Sequence, residues 1–315
     1  MMQELAGSIR SELSMYHGSN HISRRSLLRY LGGNIGLSGV MAMVDAAWAA
    51  SGETARSMPS IFIGHGSPMN AIQDNAFTRR LRLWGQEIGR PRAILMVSAH
   101  WLTPGSTSVA VVRKPETIHD FGGFTRALSE MQYPAPGAPD IAQQTLELLG
   151  TMRAAPSLGW GLDHGAWTVL HHMYPKADVP VFQVSIDYAQ TGAYHLAVGR
   201  ALAALRDKGV LIAGSGNVVH NLRATEETEL TSIMASKPWA QSFDDAVKQA
   251  LLSGAWESLV DYKNLGAAVS MAVPTPDHYW PMLYALGAAG TSAKPTFVFE
   301  GFQNGTISMR CMQWA

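Results

Sequence analysis

Four histidines stand in local sequences that suit a binding site. His65 lies in Gly64-His65-Gly66-Ser67-Pro68 and His100 in Ser98-Ala99-His100-Trp101. His220 lies in Gly216-Asn217-Val218-Val219-His220-Asn221, and His278 in Pro274-Thr275-Pro276-Asp277-His278-Tyr279. The first three each follow a short apolar run, and His278 sits at a helix start. Any one such histidine, taken alone, reads as a polar loop residue. Four together read as a metal site, because neutral imidazole is a good ligand for iron and zinc. The chain's one cysteine, Cys311, excludes a cysteine-built site and an intrachain disulfide. The glycines beside His65 let the backbone turn sharply and approach a substrate closely.

Further histidines divide by context. His164, in Gly161-Leu162-Asp163-His164-Gly165-Ala166-Trp167 ahead of a helix, is a candidate acid–base or substrate-orienting group, with helix capping by its neighbour Asp163 as the plainer role. His119, in Ile118-His119-Asp120-Phe121-Gly122, reads equally as a pocket-mouth or a loop residue. His171 and His172 read as packing or surface residues in a helix. His17, His21 and His195 carry no signal.

The elements that must position these groups alternate in type. Ile61–Ile63, Ala93–Val97 and Val210–Ala213 are continuous apolar runs, as in strands buried on both faces, and the mostly apolar Val179–Ile186 reads as another strand. Helical patterns cover Asn75–Ile88, Ile141–Leu149, Ala193–Arg206 and Trp239–Leu252. Thr296–Phe299 and Thr306–Met309 read as late strands at an antiparallel edge. This alternation predicts an α/β fold in three layers, a mostly parallel central sheet flanked by helices. In such sheets ligands bind beyond the carboxyl ends of the strands, where His65, His100 and His220 fall.

The N-terminal segment has a different character. Ser23-Arg24-Arg25-Ser26-Leu27-Leu28-Arg29 precedes a glycine-rich apolar stretch, Tyr30–Val44, and then Ala47-Trp48-Ala49. A basic region, an apolar region and a small-x-small site are the order of a secretory signal. The paired arginines are similar to a twin-arginine signal. The expectation is a twin-arginine-type signal peptide over residues 1–49, recognition by the twin-arginine export machinery and a periplasmic mature protein. The apolar stretch falls short of the roughly 20 residues that span a bilayer, so no stable membrane insertion is expected. Residues 57–315 are expected to form the one remaining domain.

Composition narrows the function classes. The chain has 315 residues, with 24 Lys plus Arg against 24 Asp plus Glu, and 47% hydrophobic residues. Disorder needs low hydrophobicity and high net charge. Nucleic-acid binding needs a basic excess to neutralise phosphates. Neither fits.

From about Pro59 to the C-terminus, the ordered blocks resemble the class III extradiol ring-cleavage dioxygenases, specifically the bacterial 4,5-DOPA dioxygenase group. Besides the histidine segments above, the blocks include Thr117-Ile118-His119-Asp120-Phe121-Gly122-Gly123 and Tyr133-Pro134-Ala135-Pro136-Gly137. The resemblance implies one mononuclear divalent metal, Fe(2+) for activity or Zn(2+) as bound, a catechol-type substrate and O2. It implies His65, His100 and His278 as metal ligands. It implies His220 as either a ligand or the acid–base residue, with His164 the second acid–base candidate. Better-known members use two histidines and a glutamate; this chain has histidine near the third position. Two other functions would use the same residues: a zinc hydrolase acting through metal-bound water, and a metal-binding protein without catalysis. Fold alone does not choose among them.

Overall fold

The computed structural model describes residues 57–225, 233–290 and 293–315. The expected signal segment, residues 1–49, lies outside the described residues. Six strands form the central sheet: β1 (Ser60–Gly64), β2 (Ala93–Ser98), β3 (Val181–Gln183), β4 (Val210–Gly216), β5 (Thr296–Phe299) and β6 (Cys311–Trp314). Their order is β5-β6-β1-β4-β2-β3. The pairings β1–β4, β4–β2 and β2–β3 are parallel, while β6 runs antiparallel to both β1 and β5. This is the expected mostly parallel sheet.

Alternation along the strands divides the core into two layers. Ile61, Ile63, Ile94, Met96, Leu211 and Ala213 face one side, packing with Phe77, Leu81 and Trp84 of α1 (Ala76–Ile88) and with Trp167 and Leu170 of α3 (His164–Met173). Phe62, Leu95, Val97 and Ile212 face the other side. That side is covered by α2 (Pro139–Leu148), α4 (Gly192–Leu202), α5 (Pro238–Ser253) and α6 (Trp280–Ala289). α1 starts at a capping box, with Asn75 and Thr78 each bonding the other's backbone N–H. Its buried residues recur at helical spacing, which fixes the face it presents. No helix among the described residues is long and apolar enough to cross a membrane.

Two expected strands take a different form. The run Val179–Ile186 leaves the central sheet after Gln183, because the Ser185 backbone and hydroxyl both bond Ser108, and Ile186–Asp187 then pairs with Leu102–Thr103. The run Thr306–Met309 gives only Ile307–Ser308, in a small hairpin with Phe302–Gln303. Three residues, Asn304 to Thr306, connect that hairpin, and Asn304 and Gly305 turn it with φ of 55° and 69°. The strand that enters the central sheet is instead β6.

Just before β6, Arg310 is 2% exposed and is clamped by both carboxylate oxygens of Asp244 on α5 and by Glu300. The Ser308 hydroxyl also donates to Asp244. Breaking a buried pair leaves one charge uncompensated, at a cost of about 3–5 kcal/mol. Asp244→Ala should therefore lower the urea unfolding free energy by about that amount. A loss below about 1 kcal/mol, the value of an exposed pair, would show that Arg310 finds water or another partner.

Candidate metal centre and active site

The carboxyl ends of β1, β4 and β2 lie side by side, with Gly64 opposite Gly216 and Ser98 opposite Ser215. His65 follows β1 directly, and His100 lies two residues beyond β2. His278 comes from the segment ahead of α6, tied to the end of β4 by a hydrogen bond from Asn217 N to His278 O of 2.8 Å. That approach needs glycine at 216, where a Cβ would stand 2.1 Å from the His278 carbonyl oxygen. Gly165, the second residue of α3, has a similar role: a Cβ there would meet His100 Cδ2 at 2.9 Å.

His65, His100 and His278 each offer a ligand atom, and the three atoms lie within 4.8 Å of one another. The ring centroids are 5.0–5.3 Å apart, and His65 Nε2 lies 3.2 Å from His100 Nε2. Hydrogen bonding fixes which nitrogens face inward. The Ser215 hydroxyl donates its single hydrogen to the Gly165 carbonyl at 2.6 Å. It can then only accept from His65 Nδ1, 2.9 Å away. His65 therefore carries its proton on Nδ1 and a lone pair on Nε2. The Asp277 carboxylate accepts from His278 Nδ1 at 2.5 Å, leaving Nε2 of that ring for a ligand. Asp120 Oδ2 lies 3.7 Å from His100 Nδ1, beyond hydrogen-bond reach. For His65 and His278, an outer partner on Nδ1 that leaves Nε2 for a ligand is the usual arrangement of metal-binding histidines.

The electrostatics agree. Burial, reinforced by repulsion from neighbouring imidazoles, holds His65 and His100 well below the ordinary 6.5, so both rings are neutral donors at pH 7. Asp277 stays ionised: burial opposes its charge, but the hydrogen bond from His278 outweighs that and holds its carboxyl well below the usual range. Two neutral imidazoles with Nε2 atoms 3.2 Å apart can share one proton as a hydrogen bond or together bind a positive ion. The donor set of three imidazoles fits a divalent transition metal.

His220 and His164 flank this trio. His220 lies four residues beyond β4; its backbone N–H bonds the Ala272 carbonyl, and its ring stacks on His278 with centroids 3.5 Å apart and planes 4° from parallel. It is not a member of the trio. Burial and His278 push it well below 6.5, against an opposing pull from Asp277. His164 is the first residue of α3, not ahead of it, and Asp163 caps that helix by accepting from Ala166 N. The His164 ring lies 3.9 Å from that of His100 and 5.7 Å from that of His65. Its Nδ1 approaches Asp120 Oδ2 to 3.0 Å, close enough for an ion pair but not aligned as a hydrogen bond.

All five histidines singled out from sequence thus come together. His119 does not join them directly: it donates to the Met131 carbonyl and packs against Phe121 and Trp167. His172 is buried and donates to the Asn70 carbonyl, a packing role. Sequence reasoning missed Ser215, Asp120 and Asp277. The adjacent pairs Asp277-His278 and His119-Asp120 were the available signals for two of them; no candidate histidine stands beside Ser215.

The comparisons with known proteins choose among the possible chemistries. Residues 58–309 match the family described as the catalytic LigB subunit of aromatic ring-opening dioxygenase. The chain belongs to this family. The dioxygenase is 45% identical over 263 residues to the 4,5-DOPA dioxygenase extradiol of Escherichia coli strain K12, covering 81% of this chain and 94% of that one. It is 38% identical over 255 residues to the Beta vulgaris protein of the same name, covering 79% and 93%. Its fold matches the crystal structure of an uncharacterized Escherichia coli K12 protein with a TM-score of 0.70 and 39% identity, over 82% of this chain and all of that one. The chain is therefore an extradiol ring-cleavage dioxygenase, an oxidoreductase acting with O2 on a catechol-type substrate, and its family is metal-dependent.

Two predictions arise from this dioxygenase's geometry. Gly216→Ala would press a methyl group into the His278 carbonyl, which is backbone and cannot swing aside. The variant should lose metal affinity by about 10–100-fold, the range seen when a ligand's support is disturbed. Equilibrium dialysis of purified protein checks this, and unchanged affinity would contradict it. The second concerns acid. His65, His100 and His220 lie below their unfolded value of 6.5, and burial pushes His195 down to about 4. The unfolded chain then binds more protons below pH 6.5. The stability of the metal-free protein should be full above that pH and fall as pH drops from 6.5 toward the folded values. Urea midpoints at about pH 7.5 and 5.5 should show the decline; equal midpoints would contradict it.

Proposed function

We propose that the chain binds one divalent metal through His65, His100 and His278 and opens a DOPA-like catechol with O2, using Fe(2+) for activity, with Zn(2+) as a non-productive occupant. The observation that carries this reading is the inward Nε2 set, with Nδ1 of His65 and His278 hydrogen-bonded from behind. When bound, ferrous iron would supply a meeting place for catecholate and dioxygen and the electron transfer that zinc cannot provide. The protein's own residues handle protons and position. His220, stacked on the ligand His278 and held neutral by burial, takes the second catechol proton and returns it as the ring opens. His164 faces the same centre from the His100 side and is the second acid–base group. General acid–base help of this kind is worth about 10²–10⁴ in rate. The E. coli and B. vulgaris relatives, whose names specify 4,5-DOPA, support DOPA as the first substrate to try.

The test is reconstitution with ferrous iron or with zinc under anaerobic conditions, then oxygen uptake with DOPA and with simpler catechols. Uptake equimolar with substrate loss, by the iron form alone, is expected. No uptake by the iron form across the series would overturn the proposal.

We also propose export. The segment Arg24-Arg25 with Ala47-Trp48-Ala49 supports cleavage near Ala49 by way of the twin-arginine machinery and delivery to the periplasm, a route that carries folded proteins and so suits a metal-loaded enzyme. N-terminal sequencing of periplasmic protein should begin near Ala50. A full-length cytoplasmic product, unchanged by Arg24→Lys with Arg25→Lys, would contradict it.

A further inference from the structure

Asp120 touches both the metal-binding trio and the acid–base residue beside it. Its Oδ1 accepts from the His164 backbone N–H at 2.9 Å. Its Oδ2 lies 3.0 Å from Nδ1 of the same residue and 3.7 Å from Nδ1 of His100. The backbone contact is a helix cap, since the first N–H groups of α3 have no partner within the helix. One carboxylate thus grips His164 twice, by main chain and by ring. The next residue, Phe121, presses on the His164 ring edge-on at 5.6 Å. His164 is buried, and its Nδ1 has no aligned hydrogen bond. Contacts at catalytic groups are commonly misaligned without substrate and tighten in the complex.

We propose that Asp120 is a positioning residue that acts through His164, holding its imidazole with the proton on Nδ1 and the lone pair on Nε2. The inference rests on the ring-cleavage reading above. A carboxylate can only accept, so it selects the Nδ1–H tautomer and turns Nε2 toward the reaction centre. His164 Nε2 can then take a proton from a catechol hydroxyl, whose O–H electron pair stays on the oxygen; the same proton is returned to product. Asp120 never becomes protonated in this scheme. An orienting carboxylate behind a histidine base is worth up to about 10⁴ in kcat where it is fully buried. Asp120 is partly exposed, so a smaller effect follows.

The test uses Asp120→Asn, Asp120→Glu, His164→Ala and the double variant Asp120→Asn with His164→Ala, all in the full chain. Asp120→Asn should keep wild-type metal content, lower kcat by about 10–100-fold, and change KM by less than about threefold. Asp120→Glu should restore part of kcat. Adding Asp120→Asn to His164→Ala should cost nothing further, because the carboxylate acts through that ring. Unchanged kcat, loss of metal, or a further drop in the His164→Ala background would each overturn the proposal; the last two would place the role of Asp120 on His100. A second readout does not depend on turnover: nitrogen-15 NMR of the zinc-loaded protein should show His164 as the Nδ1–H tautomer in wild type and a mixture in Asp120→Asn. The same tautomer population in both would overturn the proposal. If the iron-loaded wild type fails to open catechols, the function reading fails, and the NMR comparison still decides the role of Asp120.

Discussion

His65→Ala, His100→Ala and His278→Ala should each strip the protein of most of its metal and, with it, of ring cleavage. Each removes one of three donors that lie within 4.8 Å of one another. The remaining two cannot enclose an ion as three do. Losing even an outer partner of a ligand costs about 10–100-fold in metal affinity, so losing the ligand should cost more than about 100-fold. Asp277→Asn gives the internal scale. It replaces the acceptor 2.5 Å from His278 Nδ1 while leaving all three imidazoles, and should fall in the lower range. Metal analysis of the purified variants reads both effects. Full occupancy in the three alanine variants would place the site elsewhere.

His220→Ala should behave differently, keeping most of the metal yet losing about 10²–10⁴ in the rate of ring cleavage. The reason is its placement: the ring lies flat against His278 and is not one of the three converging donors. Removing it opens space beside a ligand without removing one. Burial keeps it neutral, the state in which it can accept a proton. Parallel metal analysis and oxygen uptake separate the two roles. Metal and activity lost together would make His220 a ligand, the other role that the resemblance allows it.

The sequence made the centre legible through strand ends. His65, His100 and His220 each follow a run of buried apolar residues, and the rule that ligands collect beyond such ends brings them together. His278 was legible only as an unusual segment; its approach depends on Gly216, whose role appears once the Asn217–His278 bond is seen. The outer partners were hidden for a physical reason. Ser215 lies 150 positions from His65 along the chain, and Asp120 lies 44 from His164, so no local pattern connects them. The same limit explains β6. Its run Cys311–Trp314 is short, with Gln313 turned to accept from the Trp84 indole, and no apolar periodicity marks it. His195, without signal in sequence, is a core residue bonded to the Tyr284 hydroxyl at 2.9 Å. Tertiary packing alone decides such a position.

The central claim is that three imidazoles hold the metal while a fourth stacks beside them. The most direct measurement is a crystal structure of the iron-loaded protein, prepared anaerobically, with the ion located by anomalous scattering. The account predicts one ion bonded to Nε2 of His65, His100 and His278, with the His220 ring still parallel to His278 and outside bonding distance. An ion bonded through His220, or seated away from the His65–His100–His278 trio, would contradict it.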